Sequence, residues 1–334
     1  MTAVPINENI PVIRGLDIGN EKMEEAMREG KMLLIDVETS NICNLACPYC
    51  FRDVYGGHSE LAKELSIKER LDLFRQAKKL GCETIKITGA GEPLIDRYFF
   101  EMIEYANKLG MKVMSFTNGM AIDREMAEKL AKANVSLIVK CNSMKPEIED
   151  KMVGRQGYAG IRNKAIRYLM EAGLNKKKPT MLGMDAVITK INMDEVLDQL
   201  EFCRRNNIFP LFRPFMPIGG ASKLKGWEIT REETVGIFRR AQEMDRQKFG
   251  LEYKMILPYI GGVWCRQLHY ALYVNILGEA YACTGSKKTL GNIREQNLKE
   301  IWNSETAKRI RSTPYESCPM REAYWRGEKN YDCV

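Results

Sequence analysis

Residues 33–50 read Leu33-Leu-Ile-Asp-Val-Glu38-Thr-Ser-Asn-Ile-Cys43-Asn-Leu-Ala-Cys47-Pro-Tyr-Cys50. The apolar start, Leu33 to Glu38, predicts a strand, and it runs straight into a loop carrying three cysteines. Their spacing is C-x3-C-x2-C, so three thiolates fall within eight residues and can wrap one metal centre. Sulfur-rich ligation points to zinc or to an iron–sulfur cluster. A closed zinc site needs a fourth ligand nearby, and His58, beyond Gly56–Gly57, is the only local candidate. Three cysteines on a cluster leave one iron open, and an open metal position is where chemistry happens.

Working outward, strand and helix patterns alternate. Further strands are predicted over 83–88, 112–116, 135–140, 181–188 and 208–213. Helices are predicted over 21–29, 98–109, 123–133, 161–172 and 193–206, with one more from the Ser66/Glu69 capping box to Gly81. Such alternation implies a parallel sheet with helices outside, because parallel strands need long crossovers. The loops after the strand C-termini then form the site, whether the sheet is open or an incomplete barrel. The cysteine loop, Gly89–Pro93, Thr117–Gly119, Asn142–Ser143 and the loop after Arg213 all occupy such positions. After a helix over 231–247 the chain turns loop-rich with sparse cysteines, placing a boundary near residue 250.

The cysteine spacing, with an aromatic residue (Tyr49) just before the third cysteine, resembles the signature of the radical S-adenosylmethionine (SAM) superfamily. The resemblance implies an α/β fold, a partial (β/α)6 barrel, and a 4Fe–4S cluster on Cys43, Cys47 and Cys50 whose unique iron chelates SAM. One electron then cleaves SAM to a 5′-deoxyadenosyl radical that abstracts a substrate hydrogen. Thr88-Gly-Ala-Gly-Glu-Pro-Leu94 resembles the family's GGEP loop for the SAM amino group, matching at Ala90, Gly91, Glu92 and Pro93, with Ala90 replacing the first glycine. Asn118 in Phe116-Thr-Asn-Gly119 is a second SAM candidate, against a plain Asn-Gly turn. Ser143 and Arg155 have the spacing of a serine and arginine that contact SAM in related enzymes, against a plain surface role for Arg155. A guanidinium suits a carboxylate through bidentate bonding. Met216 is placed to pack on adenine or to fill the core.

Cys265-x12-Gly278-x4-Cys283, followed by Leu290-Gly-Asn-Ile293, Leu298-Lys-Glu-Ile-Trp302, Cys318 and Cys333, resembles the SPASM and twitch extensions of that superfamily. The spacing suits a hairpin carrying two ligands, then a helix, then later ligands. A full SPASM pattern needs more cysteines, so the resemblance implies one auxiliary 4Fe–4S cluster on Cys265, Cys283, Cys318 and Cys333, with zinc as the alternative. The expected organisation is a leader over 1–30, the barrel over 31–250 and a small twitch-like iron–sulfur domain over 251–334. Cys82 and Cys203 read as core. Cys141, at a strand end among the site loops, is read first as simple packing, with a hydrogen-atom donor, which would make an epimerase, as the alternative. Arg213, at the end of the sixth strand, is a candidate contact to SAM or substrate, with ion pairing as the equal alternative.

With 334 residues, 45% apolar, 28% charged and net charge +7, the chain is globular and mildly basic. Its longest basic run, Lys176–Lys178, has no interleaved aromatics, which argues against nucleic acid. No stretch approaches the ~18 apolar residues of a membrane span, and no signal sequence is visible, so the ten cysteines read as those of a cytoplasmic protein. The leading expectation is a radical SAM oxidoreductase of a small polar metabolite such as a sugar or aminocyclitol, with an auxiliary cluster for electron transfer. The single auxiliary cluster and the short leader, without room for a peptide-binding module, favour it. A flavodoxin- or ferredoxin-like reductase is the expected partner. The alternatives are a peptide or protein maturase or epimerase, and a non-catalytic zinc or electron-carrier protein.

Overall fold

The computed structural model describes residues 10–51 and 63–328. Nine strands form one sheet: β1 (Leu34–Val37), β2 (Thr84–Ile87), β3 (Lys112–Thr117), β4 (Val135–Lys140), β5 (Leu182–Ile188), β6 (Phe209–Pro214), β7 (Ala271–Val274), β8 (Glu279–Tyr281) and β9 (Thr289–Asn292). Their order is β6-β5-β4-β3-β2-β1-β7-β8-β9. The first six are parallel to their sequence neighbours, as the strand–helix alternation predicts.

The remaining strands were not foreseen as part of this sheet. β7 adds to β1 in parallel, and β8 and β9 continue antiparallel. The segment set apart from residue 251 onward therefore shares a sheet with the barrel. The β7–β8 hairpin lies between Cys265 and Cys283, where the ligand spacing places a hairpin. Cys318 is the N-cap of the Pro319–Trp325 helix.

The crossover helices follow their local signals. Ile67–Lys79 begins at a complete Ser66/Glu69 capping box, and Arg231–Phe249 at one formed by Thr230 and Glu233. Pro146–Val153 is a helix that the strand–helix reading missed. Proline at its first turn has its φ preset for a helix and lacks only an N–H that would go unpaired there. Among the described residues no helix is long and apolar enough to cross a membrane.

Period-two alternation decides what faces inward. Ile35, Val37, Ile85, Ile87, Val113, Leu137 and Val139 pack into the core beneath the helices. Met114, Ile138, Phe209 and Leu211 form a second apolar cluster with Ile13. Lys86, Met114, Phe116, Lys140, Val187, Leu211 and Arg213, from five different strands, line one cavity, so the sheet wraps as a partial barrel. The leader, read as polar, supplies part of that interior. Ile13 is buried and bridges to Thr180 beside β5. Gly183 leaves room for it, since a Cβ there would stand 3.4 Å from Ile13 Cδ1 and 3.1 Å from Ile138.

One buried ion pair braces the outer layer. Arg204 donates from Nε and Nη2 to the two oxygens of Asp245 at 2.9 Å each, and Tyr253 Oη donates to the same carboxylate at 2.7 Å. Breaking a buried pair from one side leaves a charge without compensation. Asp245→Ala is therefore expected to lower unfolding free energy by about 3–5 kcal/mol, measured by urea denaturation.

Candidate active site lined by two sets of cysteines

A cavity of about 690 Å³ occupies the barrel interior, and Cys43, Cys47, Cys50, Cys265, Cys283 and Cys318 all line it. None of the nine described cysteines forms a disulfide. The six that line the cavity are partly exposed, whereas Cys82, Cys141 and Cys203 are buried. His58 and Cys333 lie outside the described residues.

The cysteine loop is held from several sides. Cys50 N–H donates to Cys47 O at 3.0 Å, and Gly220 N–H to Cys50 O at 2.9 Å. The loop after β2 locks onto it, with Gly91 N–H donating to Ser40 O at 2.7 Å and Glu92 N–H to Ile42 O at 2.9 Å. The approach at Gly91 is so close that a Cβ would fall 1.9 Å from Ile42 O. Gly91 is thus required for the two loops to touch. Ala90, Gly91 and Glu92 line the cavity with Tyr49, Asn118 and Met216.

Glu92 ties this loop to the next. Its carboxylate accepts from Leu94 N–H (3.1 Å), Thr117 Oγ1 (2.7 Å) and Asn118 N–H (2.7 Å). Burial pushes its pKa up to about 6, against the lowering effect of these donors. The folded state therefore holds the proton more tightly than the unfolded chain does. Its linkage contribution is fully present below pH 4.5 and is lost as pH rises through about 6. Glu92→Gln turns an amide N–H₂ toward one of three donors and strands it. We expect a loss of about 1–3 kcal/mol, seen as a lower Tm at pH 7.5.

Asn118 donates from Nδ2 to Asn44 Oδ1 at 2.7 Å, coupling its loop to the cysteine loop. Tyr49 Oη accepts from Asn142 Nδ2 at 2.9 Å. Tyr158, which the sequence reading did not single out, lines the cavity, donates to Asn118 O at 2.7 Å and packs with Leu45 and Val153 beside Cys43 and Cys47.

Three expected site residues stand elsewhere. Ser143 is buried outside the cavity lining, and its hydroxyl lies 2.8 Å from both oxygens of Glu195. Its N–H donates to Glu149 at 2.7 Å. Arg155 is exposed and donates to Asn44 O at 3.3 Å, so it braces the cysteine loop rather than lining the cavity. Cys141 is buried against the Arg162 guanidinium and also lies outside the lining.

Charged residues on the inward strand faces were the larger omission. Lys86 pairs with the buried Asp36 at 2.5 Å. Lys140 and Arg213 share the buried Asp185, so the expected contact residue Arg213 lines the cavity already engaged in an ion pair. An acid or base inside an otherwise apolar strand was the available signal, because such a charge needs a partner in the interior.

Each set of cysteines has the chemistry of a cluster site. Burial first, then repulsion from Cys50 and Cys43, pushes the Cys47 thiol up to about 12, while Lys140 acts the other way. Burial likewise raises Cys318 to about 12, with Cys265 and Cys283 adding to it and Arg321 opposing. Thiolates that repel one another in a desolvated wall need a cationic centre to ionise together. A 4Fe–4S cluster takes its thiolates on separate irons, and each of these all-cysteine sets offers soft sulfur ligands of that kind. The residues therefore fit clusters.

Comparison with known proteins agrees. The profile of the radical SAM superfamily matches residues 37–205, and that of the SPASM iron–sulfur cluster-binding domain matches residues 265–321. The PqqA peptide cyclase of Granulibacter bethesdensis is 25% identical over 327 residues, covering 87% of this chain and 80% of that protein. A probable GTP 3′,8-cyclase of Methanocaldococcus jannaschii is 27% identical, covering 71% and 80%. The sporulation killing factor maturation protein SkfB of Bacillus subtilis is 27% identical, covering 79% and 63%. Among solved structures, Streptococcus suis SuiB bound to its precursor peptide SuiA superposes with a TM-score of 0.67 at 18% identity, over 89% of this chain and 71% of that one.

Proposed function

Because the chain belongs to the radical SAM superfamily, as an enzyme with two 4Fe–4S clusters and SAM as cofactors, we propose that it matures a peptide, removing hydrogen from a residue held in the cavity that both sets of cysteines line. That shared cavity is the observation on which the reading rests. When bound, the clusters and SAM supply a carbon radical for hydrogen abstraction at one end and an electron acceptor at the other.

The chain's own residues then have distinct tasks. Cys43, Cys47 and Cys50 hold the SAM-binding cluster, and Cys265, Cys283 and Cys318 hold the auxiliary one, with Cys333 as its fourth ligand. Tyr49, Ala90, Gly91, Glu92, Asn118 and Met216 form the wall for SAM. Ser143 and Arg155 act indirectly, by holding the loops around it. Residues 31–250 form the catalytic barrel and 251–334 the auxiliary-cluster region. A flavodoxin- or ferredoxin-like protein delivers the electron.

A peptide cyclase and a killing-factor maturation protein among the relatives support this substrate class over the small metabolite that the sequence reading favours. The similarity to the peptide cyclase extends over 87% of the chain, against 71% for the GTP cyclase, which favours a small-molecule substrate as the second reading. The test is anaerobic reconstitution with SAM and dithionite. The protein is then challenged with short peptides encoded beside its gene and, separately, with sugars, aminocyclitols and GTP. We expect substrate-dependent 5′-deoxyadenosine only with a peptide, which loses two hydrogens or gains solvent deuterium. Turnover confined to the small molecules would refute the peptide assignment.

A further inference from the structure

Five cationic side chains line the cavity: Lys86, Lys140, Arg213, Arg266 and Arg321. Four have a counterpart within the protein. Lys86 has Asp36, and Lys140 and Arg213 share Asp185. Arg321 donates to the backbone carbonyls of Pro214 and Phe215 and interacts electrostatically with Cys318. The cavity's own carboxylates are committed elsewhere, Asp17 to Lys112 at 2.7 Å and Glu92 to its three donors.

Arg266 is the exception. It is 5% exposed, and no carboxylate among the described residues contacts its guanidinium, on which Tyr270, Glu24 and Tyr315 act only through longer-range electrostatics. Its Nε is buried without a hydrogen-bond acceptor. The guanidinium carbon lies 4.0 Å from the ring centroid of Trp264, whose indole Nε1 is likewise buried and without an acceptor. Both residues line the cavity and flank Cys265. A buried guanidinium without a counter-charge in contact is costly, and an arginine stacked on an aromatic face holds its planar fork ready for a carboxylate. An indole N–H adds a further donor.

We propose that Arg266, backed by Trp264, receives a carboxylate of the substrate, so the peptide presents either an acidic side chain or its free C-terminus beside the auxiliary site. This rests on the peptide reading above. It assigns Arg266 to specificity rather than to the redox chemistry.

The test uses the peptide that supports turnover, in three forms: the parent, versions with each acidic residue changed to its amide, and a version with an amidated C-terminus. Each is assayed with wild type and with Arg266→Gln and Arg266→Lys. One neutralised form should raise KM at least about tenfold in wild type and make little further difference in Arg266→Gln, with Arg266→Lys between them. Which form does so identifies the source of the carboxylate. If Arg266→Gln fails to load its clusters, as judged by iron and sulfide content, Arg266→Lys carries the comparison. Equal KM for all forms in wild type would overturn the proposal while leaving the peptide reading intact. So would independent, additive effects of the variant and the peptide change, or a shift confined to the auxiliary-cluster potential. Absence of any peptide turnover would instead remove the reading beneath it.

Discussion

Replacing Cys43, Cys47 and Cys50 together by alanine is expected to abolish reductive cleavage of SAM and to lower the iron content of reconstituted protein from about eight atoms to about four. The reasoning is local. The three thiols line the cavity, partly exposed, and they couple electrostatically to one another. They sit in a loop whose backbone is held by Ser40, Ile42 and Cys50 carbonyls rather than by the thiols themselves. Alanine should therefore remove the ligands and leave the barrel standing. The auxiliary cysteines are on a different stretch of chain, attached through β7 and β8, so their iron should stay. Iron and sulfide analysis beside far-UV circular dichroism decides the matter. Loss of all the iron, or retention of about eight atoms, would each be inconsistent with two separate sites.

The second large effect is expected from a single methyl group. Gly91→Ala places a carbon 1.9 Å from Ile42 O and 2.5 Å from Ile42 C, both backbone atoms of the cysteine loop. No side-chain rotation can relieve that contact, so the two loops must separate. The bonds from Gly91 N–H to Ser40 O and from Glu92 N–H to Ile42 O would be lost together. The barrel strands end before this contact, so global stability should fall only modestly, by about 1–3 kcal/mol. Iron at the first site and SAM affinity should each drop at least about tenfold, measured by iron analysis and equilibrium dialysis. Gly91→Ala with wild-type SAM affinity would show that the loop contact is dispensable.

Much of this arrangement was legible in the chain. The six parallel strands announce themselves because each is a short apolar-rich run set between helical patterns, and β2, β3 and β4 run into Thr88-Gly89, Asn118 and Cys141. The cysteine loop and the Gly89–Pro93 loop are visible because their composition is unusual and their spacing local. The parts that escaped depend on partners distant in sequence. β7 joins β1 across 233 intervening residues, a pairing that neither segment encodes alone; the register runs Val37 to Val274 and Leu34 to Ala271. Ser143 looks like a ligand-binding serine until Glu195, 52 residues on, takes its hydroxyl. Cys141 looks poised at a strand end until Arg162 covers it. Ile13 reads as part of a polar leader until the barrel offers it Met114, Ile138 and Phe209 to pack against.

The same limit applies to charge. Asp36 and Asp185 sit inside apolar strands, and their burial makes sense only with Lys86, Lys140 and Arg213 brought in from neighbouring strands. Arg266 carries the reverse lesson. Its significance lies in an Nε without an acceptor and a guanidinium that, among the described residues, no carboxylate contacts, which becomes visible only once the wall around it is built.

Anaerobically reconstituted protein, reduced with dithionite and given SAM alone, provides the most direct trial of an open iron beside Cys43, Cys47 and Cys50. Slow formation of 5′-deoxyadenosine and methionine in equal amounts is the predicted result. Recovery of the SAM intact, from protein carrying its full complement of iron and sulfide, would contradict it.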